Sequence, residues 1–391
     1  MVAYTFYERD NRVRRYAETL ARRGDSVDVI ALRSEEESTE RALINGVQVF
    51  RIQHRVKDEK NKFVYLSRLL LFFLRSMYFL TRMQFKESYD LIHVHSVPDF
   101  EVFAAWYPKM AGSKIILDIH DIVPEFYTSK FNASRESLTF KSLIAMERIS
   151  AAFSDHVIAA NHIWEKRLQE RSVAGSKCTT ILNYPDTHIF RKRGRNRDDD
   201  KFIVLYPGTI NYHQGLDIAI RAFSLIKDEI PKAEFHIYGS GDQLSFLKSL
   251  IDELHLNHRV YLKGLLAMDQ MASVIESADL GVVPKRSNGF GNEAFSTKIL
   301  EFMSMGVPVI VPDTMIDRYY FNDSVATFFH ANDARSLADA MLLLIRTPEL
   351  RRKLVLNASE FVKKYTWDAN ESVYLDLVDS LLHARNGHKH S

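Results

Sequence analysis

Twelve short runs rich in Val, Ile, Leu and Phe punctuate the chain, and between them apolar residues recur every three or four positions. The first six runs are 27–32, 47–52, 91–95, 114–119, 156–160 and 180–183; the second six are 202–206, 234–238, 259–263, 280–284, 307–311 and 326–329. Continuous apolar runs of this length suit strands buried on both faces, and the amphipathic stretches suit helices covering a parallel sheet. The pattern predicts an α/β protein of two doubly wound, Rossmann-like domains. The opening strand is thin: residues 2–6 precede a polar turn, while 12–22 already has the period of the helix that follows. A last helix is predicted over 368–383, and nothing in its sequence assigns it to either domain.

The two sets are separated by RKRGRNRDDDK at 191–201, which carries no apolar side chain. Such a stretch reads as a solvated linker, dividing the chain into domains 1–190 and 202–366 and a C-terminal segment, 367–391. Asp198, Asp199 and Asp200 contain the Asp-x-Asp pair that can hold Mg²⁺ or Mn²⁺ under a nucleotide diphosphate. They sit in the linker, however, and not at the carboxyl end of a strand, where α/β sheets bind ligands. A length of 391 residues agrees with more than one core. Lys+Arg 52 against Asp+Glu 50 leave a net +2, no global footprint for nucleic acid. The single cysteine, Cys178, excludes an intramolecular disulfide or a cysteine-cluster metal site within the chain. The N-terminal stretch has no apolar h-region, and a cytoplasmic protein is expected.

Charge is unevenly placed. Between Arg51 and Lys86 lie nine Lys/Arg, including Lys57 and Lys60, against Asp58 and Glu59, a local net charge of +7. Residues 63–83 have the length of a membrane span but carry Arg68, Arg75 and Arg82, and a central arginine costs about 2.5–3.5 kcal/mol on insertion scales. Spaced by seven, the three arginines drift only about 20° per step and share one stripe of a helix. A basic stripe beside Leu, Phe and Tyr fits an anionic membrane surface; it equally fits a helix packed on a sheet with arginines reaching solvent.

The most informative segment for chemistry is EAFSTKILEFMSMGVP, from Glu293. Ser296 and Thr297 stand in N-cap position before an apolar-periodic run. A helix start offers free N–H groups and positive partial charge to phosphate, and Lys298 adds a formal cation. Glu301, one turn in, can accept from a ribose diol, and Glu293 from a sugar hydroxyl. Spacing alone describes an ordinary capped helix just as well. Gly239-Ser240-Gly241 reads as a tight turn, and Gly264 as a place where a nucleotide base meets backbone.

The Glu293-x7-Glu301 spacing resembles the signature of retaining glycosyltransferases of family 4, which have the GT-B fold. Three further stretches match in the right order. YPGTINYHQGLD, with Gly208, is similar to the glycine turn that faces the donor diphosphate; Asn183, Asp186 and Phe190 resemble the interdomain hinge; and DIHDIVPE carries His120 at a strand end. The resemblance implies two domains facing an interdomain cleft and metal-independent transfer of a sugar from a nucleotide diphosphate sugar, with retention. In that scheme Glu301 binds the ribose, Glu293 the sugar hydroxyls, the amides of Ala294, Phe295 and Ser296 the sugar and phosphate, and His120 a far hydroxyl of the sugar. The charge that develops on the departing diphosphate is what such donors stabilise.

The sequence departs from the family at two places. The cations that usually follow the glycine turn are replaced by Thr209 and Gln214, with Lys298 and Arg286 as the expected substitutes. The glycine-rich first loop is replaced by Asp10, Asn11 and Arg12, which places Asp10 and Arg12 on the acceptor side. The resulting expectation is a retaining transferase acting on a lipid-linked or polysaccharide acceptor in cell-surface polysaccharide synthesis, peripheral on the inner membrane face, with no metal or other cofactor. Alternatives are a sugar-nucleotide epimerase or a non-catalytic scaffold of the same fold.

Overall fold

Each set of apolar runs closes into its own sheet. In a computed structural model of the protein, which describes residues 1–34, 39–55, 62–131, 134–194 and 197–387, the chain divides into two units. The first holds residues 1–183 and the stretch from Asn370 onward; the second runs from Tyr184 to Ala369.

The sheet of the first unit contains β1 (Val2–Ala3), β2 (Val27–Arg33), β3 (Arg41–Ile44), β4 (Val47–His54), β5 (Leu91–His95), β6 (Lys114–Ile119), β7 (His156–Ala159) and β8 (Cys178–Thr180). Their order is β3-β4-β2-β1-β5-β6-β7-β8, parallel except for β3. The thin first strand is real: two residues, both buried, pair with Val94 and His95. β3 was not predicted. It forms an antiparallel hairpin with β4 through Asn45-Gly46, both at positive φ (49° and 83°), and Asn-Gly is the turn pair whose twist matches such a hairpin.

The second sheet is wholly parallel. It contains β9 (Phe202–Pro207), β10 (Ala233–Tyr238), β11 (Val260–Lys263), β12 (Leu280–Val282), β13 (Val309–Pro312) and β14 (Thr327–Phe329), in the order β11-β10-β9-β12-β13-β14. Its core joins Val204, Phe223, Phe235, Leu337 and Met341, with the helices Leu216–Ile226 and Ala334–Arg346 packed together over the sheet.

Two sequence expectations change here. The chain passes between units at Asn183–Tyr184, ahead of the predicted linker 191–201. The described part of that stretch is not simply solvated, because its donors find acceptors on the second unit. The N–H groups of Arg193 and Gly194 donate to Glu276 Oε1 (2.5 and 2.6 Å), and Arg197 Nη1 donates to the Ser277 carbonyl (2.9 Å). Asp199 and Asp200 pair with Arg197 and Lys232. The other finding concerns the last helix, Trp367–Gly387, which ties into the first unit: buried Tyr374 meets His93 Nδ1 through its hydroxyl at 2.9 Å, and Glu371 and Asp379 pair with Arg22 and Arg23.

The helix Lys62–Lys86 buries Leu69, Phe72, Ser76, Leu80 and Gln84 on one stripe against the first sheet. An edge contact of Phe72 with Tyr4 and a tilted one of Phe79 with Phe50 fix that face. The opposite face exposes Leu66, Leu70, Leu71, Leu74, Tyr78 and Phe85 beside Arg75 and Arg82, so that only 22% of its apolar window is buried. By length and composition this helix is apolar enough to cross a membrane. Lys57 and Lys60 of the basic stretch lie outside the described residues.

Tyr374 carries the docking of the last helix, so Tyr374→Ala is expected to cost about 3–5 kcal/mol, as for other fully buried aromatics. Urea denaturation followed by circular dichroism measures the loss.

Candidate active site

The strand order of the second sheet reverses between β9 and β12, and the crevice beyond the carboxyl ends of two such strands is where open α/β sheets take ligands. Backbone contact brings the loops there together. A Cβ on Gly239 would lie 1.8 Å from the Gly208 carbonyl oxygen, and one on Gly215 2.2 Å from that of Pro284. Gly239 and Gly208 hold φ of 147° and 141°, a region closed to most side chains. The Gly208 N–H donates to Tyr238 O and that of Ile210 to Ser240 O, both at 2.9 Å, so Gly239-Ser240-Gly241 is the tight turn expected of it.

Lys298 lies directly on Gly208. A Cβ at position 208 would be 2.2 Å from Lys298 Cε and 2.9 Å from Nζ, and the ammonium sits 5.6 Å from the centre of the Tyr206 ring. The Tyr206 hydroxyl reaches the Thr209 carbonyl (2.9 Å) and Gln214 Oε1 (3.0 Å). Gly208, Thr209, Gln214 and Lys298 therefore meet around one aromatic ring. Burial lowers the Lys298 pKa, opposed by Glu301; burial likewise raises the Glu301 pKa, opposed by Lys298 and the Thr297 hydroxyl.

The helix Thr297–Ser304 begins at Ser296, but the Ser296 side chain makes no capping bond, contrary to the capping role its position predicts. Its hydroxyl is buried and has no partner among the described residues. The Ile299 N–H bonds the Ser296 carbonyl (3.3 Å), and no side-chain cap takes the N–H groups of Thr297 and Lys298, which are left to face a ligand or solvent. The loop leading into the helix is held from beneath. Buried Lys285 donates to the Ala294 carbonyl (2.6 Å) and pairs with fully buried Asp317 (3.0 Å), itself bonded by the Thr314 hydroxyl (2.5 Å). Phe295 anchors the loop edge-on against Tyr320 (4.9 Å), and Glu293 is 7% exposed. Nothing in the sequence singled out Lys285 or Asp317.

Several expected site residues stand elsewhere. Arg286 is engaged elsewhere: its Nη2 bonds both oxygens of Asp217 at 2.7 Å and its guanidinium lies 4.2 Å from the Tyr212 ring centre, because the aspartate in the first turn of the helix Leu216–Ile226 attracts it. The Ala294 N–H is taken by the Phe290 carbonyl (2.9 Å), leaving Phe295 and Ser296 as the amides able to face a ligand. Gly264 follows β11 with open space around its would-be Cβ, so backbone geometry does not require glycine there.

In the first unit His120 follows β6, at the carboxyl end of the strand. Its Nε2 lies 3.1 Å from Asp118 Oδ2 and 3.1 Å from His95 Nδ1. Asp118 is fully buried and held by Arg12, whose Nε and Nη2 donate to its two oxygens at 2.8 and 2.7 Å. Arg12 is thus a buried counter-ion and not an acceptor contact. Asp10 likewise is a helix cap: its Oδ1 accepts from the N–H groups of Arg12 and Val13, both at 3.1 Å, which opens the helix Asn11–Arg23. Burial alone would raise the Asp118 pKa, but Arg12 and His120 hold it well below the ordinary 3.8. Burial keeps His93 and His95 below the ordinary histidine value. His93, His95 and Asp118 could by spacing hold a metal ion, but the guanidinium on both Asp118 oxygens already supplies the cation there. His93 and His95 were not singled out, although two histidines on alternate positions of an apolar strand share one face.

Comparison with known proteins decides the family. The family model described as Glycosyl transferases group 1 matches residues 189–361, and that described as Glycosyltransferase Family 4 matches 10–188. The chain belongs to glycosyltransferase family 4. It is similar to an uncharacterised glycosyltransferase of Methanocaldococcus jannaschii, 26% identical over 91% of this chain and 90% of that one. Its GT-B fold matches sucrose-phosphate synthase from Thermosynechococcus elongatus (TM-score 0.82, 19% identity, 98% of each chain). It also matches Anabaena HepE solved with UDP-glucose (TM-score 0.71, 14% identity, 97% and 98%).

For this family-4 glycosyltransferase, Lys285→Met would leave Asp317 buried and unpaired and free the Ala294 carbonyl. The expected loss is about 3–5 kcal/mol, read as a fall in the urea midpoint, with Lys285→Met/Asp317→Leu recovering most of it.

Proposed function

We propose that the protein transfers a sugar, with retention, from a nucleotide diphosphate sugar to a lipid-linked or polysaccharide acceptor on the cytoplasmic face of a membrane. The observation that carries the reading is the uncapped start of the helix Thr297–Ser304 with Lys298 packed on Gly208. Free N–H groups, a helix N-terminus and an ammonium converge there, a cradle for a diphosphate. In this reading Lys298 supplies the charge that Arg and Lys give other members, and Gln214 donates through its amide NH₂. Glu301 accepts from the ribose, and Glu293 and the Phe295 and Ser296 amides meet the sugar and phosphate. His120 bonds a sugar hydroxyl.

Breaking the glycosyl–phosphate bond puts negative charge on the leaving diphosphate and oxocarbenium character on the sugar. Preorganised donors aimed at the diphosphate lower that barrier without a metal ion. The departing phosphate can take the acceptor's proton, so no carboxylic acid is required for the step.

The acceptor side of the reading is supported by the helix Lys62–Lys86, whose outer face interleaves leucines and aromatics with Arg75 and Arg82. That combination suits the interface of an anionic bilayer.

Thermal shift against UDP, GDP, ADP, dTDP and CMP, with EDTA present, is expected to give stabilisation by one diphosphate that Glu301→Gln weakens by roughly tenfold in apparent affinity. No stabilisation by any of them overturns the reading. Sedimentation with vesicles containing anionic lipid is expected to capture the protein, and Arg68→Glu/Arg75→Glu/Arg82→Glu to release it; unchanged binding would make the helix purely structural.

A further inference from the structure

The buried network beneath His120 fixes which of its ring nitrogens carries the proton. Asp118 Oδ2 is approached by Arg12 Nε at 2.8 Å, His120 Nε2 at 3.1 Å and His95 Nδ1 at 3.2 Å, and the two imidazole nitrogens are 3.1 Å from each other. With Arg12 bonded to both oxygens, Asp118 is a carboxylate and can only accept.

Three proton arrangements are open to the rings. If His95 Nδ1 and His120 Nε2 both carry hydrogen, both donate to Asp118. If His95 Nδ1 is bare, it accepts from His120 Nε2–H. If His120 Nε2 is bare, it can take the hydrogen of His95 Nδ1 at 3.1 Å, but Asp118 then loses both imidazole donors and the Nε2 lone pair stands 3.1 Å from its buried carboxylate oxygen. The third is repulsive, and both others place the proton on His120 Nε2. Behind them, His93 stacks on His95 with ring centres 4.2 Å apart, and its Nδ1 shares a hydrogen bond with the Tyr374 hydroxyl at 2.9 Å, so the rings cannot turn freely. His120 alone among them reaches the surface, with 23% of its side chain exposed.

We propose that Asp118, backed by Arg12 and His95, is the positioning residue that holds neutral His120 as its Nε2–H tautomer, so that the lone pair on Nδ1 is what the substrate meets. Nδ1 then accepts a hydrogen bond from a hydroxyl and repels a carboxylate or phosphate oxygen. The group it selects is a sugar hydroxyl, and His120 acts as acceptor in that bond. This rests on the reading above that His120 bonds a sugar.

Nitrogen-15 NMR of the full chain, with His120 assigned by loss of its signals in His120→Ala, tests the tautomer without any assay of activity. Above the pH at which the ring loses its charge, protonated Nε2 and bare Nδ1 are expected; protonated Nδ1 overturns the proposal. If Asp118→Asn folds, it should leave a mixture of tautomers, and an unchanged Nε2–H form would show that Asp118 does not set it. Calorimetry then separates the proposal from its premise. His120→Ala should weaken UDP-glucose about tenfold, the loss of one hydrogen bond, and leave UDP unchanged. An Nε2–H ring whose removal leaves UDP-glucose binding intact overturns the substrate half of the proposal. A wild type that binds neither UDP-glucose nor GDP-mannose overturns the premise, while the spectrum still decides the tautomer.

Discussion

A charge removed from water must be met by an opposite charge and by hydrogen bonds, or the fold that buries it is lost. Both units place such a charge under their candidate residues. In the first, Asp118 has no exposed surface and is gripped at both oxygens by Arg12; in the second, Lys285 and Asp317 are paired beneath the loop that carries Glu293. Neither pair is free to act as a binding group. Each instead dictates where its neighbours stand, His120 above one and the Ala294 carbonyl above the other. The same constraint governs the two conspicuous arginines of the sequence, Arg12 and Arg286: each spends its guanidinium on an aspartate, Asp118 for one and Asp217 for the other.

Much of the fold was legible because it rests on periodicity. All twelve apolar runs became strands within a few residues, since a parallel strand covered on both faces has little choice but to be continuously apolar. The strand that escaped, β3, is half-exposed and lies at an edge, where apolar pattern is weakest; its Asn45-Gly46 turn was the readable sign. The place of the last helix was not legible, because Tyr374 is one aromatic among several and its partner, His93, is far away in sequence.

The candidate site was legible to the extent that it is local. Glu293, Ser296, Lys298 and Glu301 lie within one loop and helix start, and their neighbourhood followed from spacing. What spacing could not supply was competition. Which arginine is captured by Asp217, whether Ser296 turns its hydroxyl to the helix start, and which carbonyl claims the Ala294 N–H depend on contacts between segments distant in the chain.

The packing of Lys298 on Gly208 makes position 208 a bottleneck for sequence drift. A methyl group there would meet the lysine stem as well as a backbone conformation that L-residues avoid. No second change at 298 relieves both conflicts while keeping an ammonium in place. A side chain at 208 is therefore tolerated only if the lysine stem moves, and the ammonium would then leave the Tyr206 ring it now faces.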